Sequence, residues 1–135
     1  MRRQVHARTT ALVLPFPLVW AVDPSLDPST EPLPLILFSR PCLWRSAILE
    51  TLDAAGRSWR LAFESTSLVA VQAALRTGLG VAPMLPANVD PELRAPRNHP
   101  GLPALPTVEI GLIRRSGTEG DPLLDAVDAA LHRII

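Results

Sequence analysis

Residues 59–85, WRLAFESTSLVAVQAALRTGLGVAPML, constrain the fold more tightly than any other stretch of this chain. Residues 60–64 form a short extended run with Leu61 and Phe63 on one face. Ser65, Thr66 and Ser67 follow with hydroxyls where a helix start needs side-chain acceptors for its free backbone N–H groups. Leu68, Val71 and Leu75 then recur at helical spacing, flanked by Val69 and Ala74. Gly78 stands where the chain must turn left-handed to leave a helix. Residues 80–85, GVAPML, open a second buried strand. The order is strand, capped helix, glycine stop, strand. It predicts a βαβ unit, whose two parallel strands need a crossover helix between them.

The flanking segments extend this pattern. Residues 33–38 are an aliphatic strand that contains Pro34. Ser39 and Pro41 are placed to cap and start a helix whose buried face is Leu43, Ala47, Ile48, Thr51, Leu52 and Ala55, with Gly56 at its end. The two crossings predict at least three parallel strands. Residues 12–22 read as a strand candidate interrupted by Pro15 and Pro17. Residues 83–106 are different in character: 7 of the 24 are proline, which excludes a helix or a central strand and leaves at most a short edge strand at 92–95. Residues 107–114 alternate, with Val108, Ile110 and Leu112 on one face. Asp121 and Pro122 then open a final helix with a stripe of Leu123, Leu124, Val127, Leu131, Ile134 and Ile135.

Composition removes several kinds of chemistry. All 13 basic residues are Arg, and the chain has neither Lys nor Tyr, so it offers no phosphate-binding P-loop lysine, no Schiff-base lysine and no tyrosine acid. Cys42 is the only cysteine, which rules out an intrachain disulfide and zinc sites built on cysteine pairs. His6, His99 and His132 are dispersed without metal-ligand spacing, and none stands beside a nucleophile in sequence. No metal, no cofactor and no enzymatic activity are expected. A formal net charge of zero gives no general attraction to nucleic acid. The Gly78-Leu79-Gly80 run closes a helix instead of opening one, the reverse of a dinucleotide-binding turn.

A ligand site is expected at the carboxyl ends of the parallel strands. Two helix starts converge there, residues 39–42 and residues 64–67. Free N–H groups and a positive helix end suit a small anion such as a carboxylate, and Arg40 and Arg45 can add charge. Glu64 opposes an anion unless it pairs with an arginine. Ordinary helix capping is the competing explanation for the hydroxyls, and simple packing is the competing explanation for Cys42.

The segments LAFESTSLVAVQAALRTGLGVAPML, PLPLILFSRPCLWRSAILETLDAAGRSWR and PALPTVEIGLIRRSGTEGDPLLDAVDAALHRII, in this order, resemble the effector-binding domain of LysR-type transcriptional regulators. The resemblance covers roughly residues 18–135. It implies an α/β, periplasmic-binding-protein-like (type II) lobe with a mixed, mostly parallel sheet flanked by helices. It implies a disordered or remnant extension over 1–17, a second lobe over 18–115, and a linker and terminal helix of the first lobe over 116–135. Residues 18–22 and 108–114 become the two interlobe crossings and are expected to be antiparallel neighbours.

On this resemblance the chain is a truncated regulator fragment, an effector-sensing and dimerising module without its own DNA-binding domain. The implied effector site is Arg40, Cys42, Ser65 and Thr66; Pro41 departs from the Gly that relatives often carry before the cysteine. Weak binding of a small carboxylate, self-association or pairing with an intact LysR-type protein, no direct DNA contact, no membrane span and a cytoplasmic location follow. The alternative is a small exported solute-binding protein: Arg2 and Arg3 precede an apolar run ending Val19-Trp20-Ala21 that resembles a secretory signal.

Overall fold

A computed structural model describes residues 10–134 of the chain. They contain six strands and three helices: β1 (Thr10–Pro17), β2 (Val19–Ala21), β3 (Leu33–Phe38), α1 (Arg45–Ala54), β4 (Trp59–Ser65), α2 (Leu68–Arg76), β5 (Ala82–Met84), β6 (Thr107–Ile113) and α3 (Pro122–Ile134). Two short 3-10 turns, Pro86–Asn88 and Pro91–Leu93, lie in the proline-rich stretch. The chain divides into two compact units, residues 17–108 and residues 1–16 with 109–135.

In the larger unit β3 is the central strand. It runs parallel to β4 from Leu33 opposite Trp59 to Phe38 opposite Ser65, with a register shift between Leu35 and Ile36. On its other side Leu35 makes a parallel bridge to Val81: Ile36 N–H donates to the Val81 carbonyl (2.8 Å) and Val81 N–H to the Pro34 carbonyl (2.9 Å). Pro34 is tolerated inside a central strand because this ladder uses its carbonyl and asks nothing of its missing N–H. Gly80 makes the approach possible, since a Cβ there would lie 2.8 Å from the Pro34 carbonyl oxygen. Beyond Val81, β5 pairs antiparallel with β2, placing Trp20 opposite Pro83. Arg94 bridges to Ala21 at the far edge, with Ala95 N–H donating to the Trp20 carbonyl at 2.8 Å. The parallel crossings are thus where the sequence placed them, whereas of the edge strand expected at 92–95 only Arg94 and Ala95 pair, Pro91–Leu93 forming a 3-10 turn.

The core explains why the aliphatic runs are where they are. Ile36, Val71, Leu75 and Met84 are all but fully buried, and Ala21, Ala82 and Val89 join the same cluster. Removing each large side chain from water contributes roughly 1.5–3 kcal/mol. α2 delivers Val71, Ala74 and Leu75 to it. Its start is capped by Ser67, whose Oγ accepts from Ala70 N–H (3.3 Å), and Gly78 follows its end at φ +72°. The apolar 19–21 run is core strand: Trp20 is buried and its Nε1 donates to the Pro103 carbonyl (2.8 Å), while Ala21 is inaccessible. Arg57 ties two surface loops together, donating to the Gly101 (2.9 Å) and Thr30 (3.0 Å) carbonyls and to Pro28, with Glu31 as its ion-pair partner.

Three expectations need correction. The helix after β3 begins at Arg45, not near Ser39 and Pro41; its N-cap is Trp44, which makes no side-chain capping bond. Leu43 is therefore outside the helix and 94% exposed, and Ala47 and Ala55 are exposed too, leaving Ile48 and Leu52 as its buried residues. Residues 18–22 do not pair with 108–114. β2 takes β5 as its partner, and β6 is hydrogen-bonded instead to β1. Residues 10–17, read as part of a disordered or remnant extension, form that strand; residues 1–9 lie outside the described residues. The 12–22 run is thus divided at Leu18 into two strands with different partners, and Leu18 N–H itself donates to the Pro106 carbonyl (3.3 Å), next to β6.

The smaller unit contains α3. Asp121 caps it as expected, with Oδ1 accepting from Leu123 N–H (2.9 Å) and Leu124 N–H (3.2 Å). Arg114 holds Asp125 at 2.6 Å and bonds Thr118. None of the described residues of α3 is buried.

Candidate functional site

The carboxyl ends of β3 and β4 lie side by side because the two strands are parallel neighbours. Ser39 N–H donates to the Ser65 carbonyl (3.0 Å), which fastens the loop leaving β3 to the loop leaving β4. The loop 39–44 then stands open instead of winding into α1, and a depression of about 280 Å³ forms beside it. Residues 38–42, Trp44 and Thr66 line it.

Three of the four sequence-predicted site residues, Arg40, Cys42 and Thr66, are brought together in this wall. Ser65 is not part of it. Its Oγ accepts from Ser67 N–H (3.0 Å) and its carbonyl holds Ser39, so it braces the two loops from behind. Sequence reasoning did not single out Phe38 and Trp44. The available signal was scarcity: the chain has three Phe, three Trp and no Tyr, so an aromatic at a strand end and another at a helix start are uncommon investments.

Charge at the site is set by how the arginines are used. Arg45 Nη1 donates to Glu64 Oε2 (2.8 Å) and to the Phe38 carbonyl (3.2 Å), and its side chain is mostly buried. This ion pair neutralises Glu64, which would otherwise repel an anion. Arg45 Nε is buried without an acceptor among the described residues. Arg40 is exposed and has no ion-pair partner among the described residues, so it is the unpaired cation of the depression's lining. The arrangement offers one free guanidinium, one hydroxyl, one thiol and an aromatic wall. It suits holding a small molecule; it contains no general base.

A smaller cavity of about 110 Å³ lies where α2 meets the 3-10 turns. Its polar groups satisfy one another: Gln72 Nε2 donates to the Asn88 carbonyl (2.8 Å) and Arg76 pairs with Asp90 (3.0 Å). It works as a clasp on the helix. Among the described residues no group of three His, Cys, Asp or Glu side chains is placed to hold a metal ion, and no helix is long and apolar enough to cross a membrane.

The fold is an α/β lobe of the periplasmic-binding-protein kind, with this depression where strand ends and helix starts meet. Residues 6–133 match the LysR substrate binding domain, and the chain belongs to that family. It is 31% identical over 118 residues to the HTH-type transcriptional regulator PecT of Dickeya dadantii, covering 86% of this chain and 37% of that protein. It is 38% identical over 96 residues to the HTH-type transcriptional regulator DgdR of Burkholderia cepacia, covering 70% of this chain and 33% of that protein. The chain thus spans about a third of the length of these relatives. Its fold is similar to a mutant regulatory domain of HypT from Salmonella typhimurium, with a TM-score of 0.66 at 15% identity over 98% of this chain and 72% of that one. These likenesses favour the regulator reading over that of an exported solute-binding protein, as does the burial of Trp20 and Ala21 in the core.

Proposed function

We propose that the chain senses a small carboxylate effector for a cytoplasmic transcriptional regulator. Residues 18–115 act as the second lobe of the effector domain, and residues 116–135 supply a linker and a helix of the first. The observation that carries this reading is the convergence of Arg40, Cys42 and Thr66 on one depression at the strand ends, with Ser65 fixing the loops that hold them. The carboxylate faces Arg40 and accepts from Thr66. Binding is weak, because a single open wall leaves most of the ligand in water and an exposed ion pair contributes only about 0–1 kcal/mol. Regulatory action passes through self-association or pairing with an intact LysR-type protein. The 135 residues make no specific contact with duplex DNA, since the family match occupies nearly all of them and their net charge is zero. They supply binding and not catalysis.

Amide NMR of the labelled chain, titrated with sodium acetate against sodium chloride at equal ionic strength, tests this. Acetate-specific shifts at Thr66 and Cys42 that disappear in Arg40→Ala are expected. Equal responses to both salts, or shifts unaffected by Arg40→Ala, would remove the site.

A further inference from the structure

We infer that the effector carries an aromatic ring, and that Phe38 and Trp44 select it; this rests on the carboxylate reading above and narrows it. Apolar atoms make up most of the exposed wall of the depression, and its apolar side chains are Phe38, Pro41 and Trp44. Phe38 is the last residue of β3, and Trp44 immediately precedes α1. Neither is fully used elsewhere. Trp20 and Trp59 use their indole N–H groups on Pro103 and Asp53, whereas Trp44 has no indole hydrogen bond among the described residues. Phe38 is only partly covered by the core cluster it packs against. Two of the six Phe and Trp side chains in the sequence therefore line one depression, both half-buried, beside the guanidinium of Arg40, which has no ion-pair partner among the described residues.

A ligand that is only a carboxylate would cover Arg40 and leave this wall in water. A ring attached to the carboxylate removes both from solvent at once. Aromatic faces favour offset-stacked or edge-on partners, and the cation holds the acid group. The depression is of a size for a single ring with a short acid arm, at the lower end of small-molecule sites. Thr66 at the opposite loop offers a hydroxyl to the same carboxylate.

The test uses the full chain and three probes at equal ionic strength: sodium benzoate, sodium acetate and benzyl alcohol. The readouts are the Thr66 amide and the Trp44 indole N–H, the latter assigned by its absence in Trp44→Phe. Benzoate is expected to move both and to half-saturate at a concentration at least about fivefold lower than acetate, with benzyl alcohol weaker than benzoate. Trp44→Ala should bring benzoate to the acetate level and leave the acetate response at Thr66 in place, with the Trp20 and Trp59 indole signals reporting an intact fold. If acetate and benzoate saturate together at Thr66, the anion site stands and the aromatic selection is wrong. If benzyl alcohol matches benzoate, the acid group is wrong. If no probe moves Thr66, the site and the inference fall together. The comparison of probes on the unsubstituted chain decides the matter even if Trp44→Ala does not fold.

Discussion

α2 and α3 are written in nearly the same way and live in different surroundings. Each opens on a side-chain cap, Ser67 in one and Asp121 in the other, and each carries large aliphatics at helical spacing. α2 buries Val71, Ala74 and Leu75, the last 1% exposed, and half-buries Leu68; only Val69, at the edge of the stripe, is open to solvent. α3 leaves Leu123 72% and Ile134 79% exposed, with Leu124 and Val127 also open to solvent. Periodicity shows that a helix has a face to bury. It does not show what buries it. For α2 the cover is β5, a few residues further on, and β3, the strand one crossing earlier. For α3 no described residue of its own unit supplies one, and four exposed aliphatics on 13 residues make a patch of the kind that marks association.

The largest expected effect separates the two stripes. Leu75→Ala should lower unfolding stability in urea by about 2–5 kcal/mol, the usual cost of a cavity in a packed core. Leu123→Ala should change it by less than about 0.5 kcal/mol, as surface substitutions do. Equal losses would mean that both helices are packed in solution and that the contrast is mistaken.

Removing the caps sharpens the same contrast at smaller scale. Ser67→Ala is expected to cost about 0.5–2 kcal/mol of global stability, because α2 cannot fray without opening the core. Asp121→Ala releases two backbone donors but should register locally, as faster amide exchange at Leu123 and Leu124 with an unchanged unfolding midpoint. A global loss from Asp121→Ala would show α3 to be cooperative with the lobe.

The smallest effect concerns the loop between β2 and β3. The Ser25 hydroxyl and, next, its backbone N–H hold the Asp23 carboxylate below its ordinary pKa. The Ser29 backbone N–H and, next, its hydroxyl do the same for Asp27. A depressed folded pKa contributes stability that is present above the unfolded value and is lost as pH falls through the folded one. Asp23→Asn should therefore flatten the acid limb of the stability profile slightly and leave neutral pH almost unchanged. A change at neutral pH of the size seen for Leu75→Ala would show that the turn carries more than its exposure suggests.

Legibility in the sequence followed the locality of the cause. β3, β4 and α2 stand close to where residues 33–38, 60–64 and 68–78 placed them, since aliphatic runs, a serine cap and Gly78 act within a few residues. α1 was misplaced because nothing local starts it. Its N-cap is an uncapped Trp44, and the preceding loop is held open by bonds from Ser39 to Ser65 and from Arg45 to Glu64 across the sheet. The pairing of β6 with β1 instead of β2 was hidden for the same reason: it joins segments far apart in the chain, and nothing local to either specifies the partner. At the candidate site the polar residues were visible as helix-start chemistry. The aromatic wall was not, because it exists only once the loop fails to become helix.

Sedimentation velocity over a range of concentrations, on the unsubstituted chain beside a Leu123→Glu/Val127→Glu variant, addresses the uncovered helix most directly. The account predicts that the unsubstituted chain associates as its concentration rises, and that the variant stays monomeric with an unchanged unfolding midpoint. Two equally soluble, equally stable monomers would contradict it.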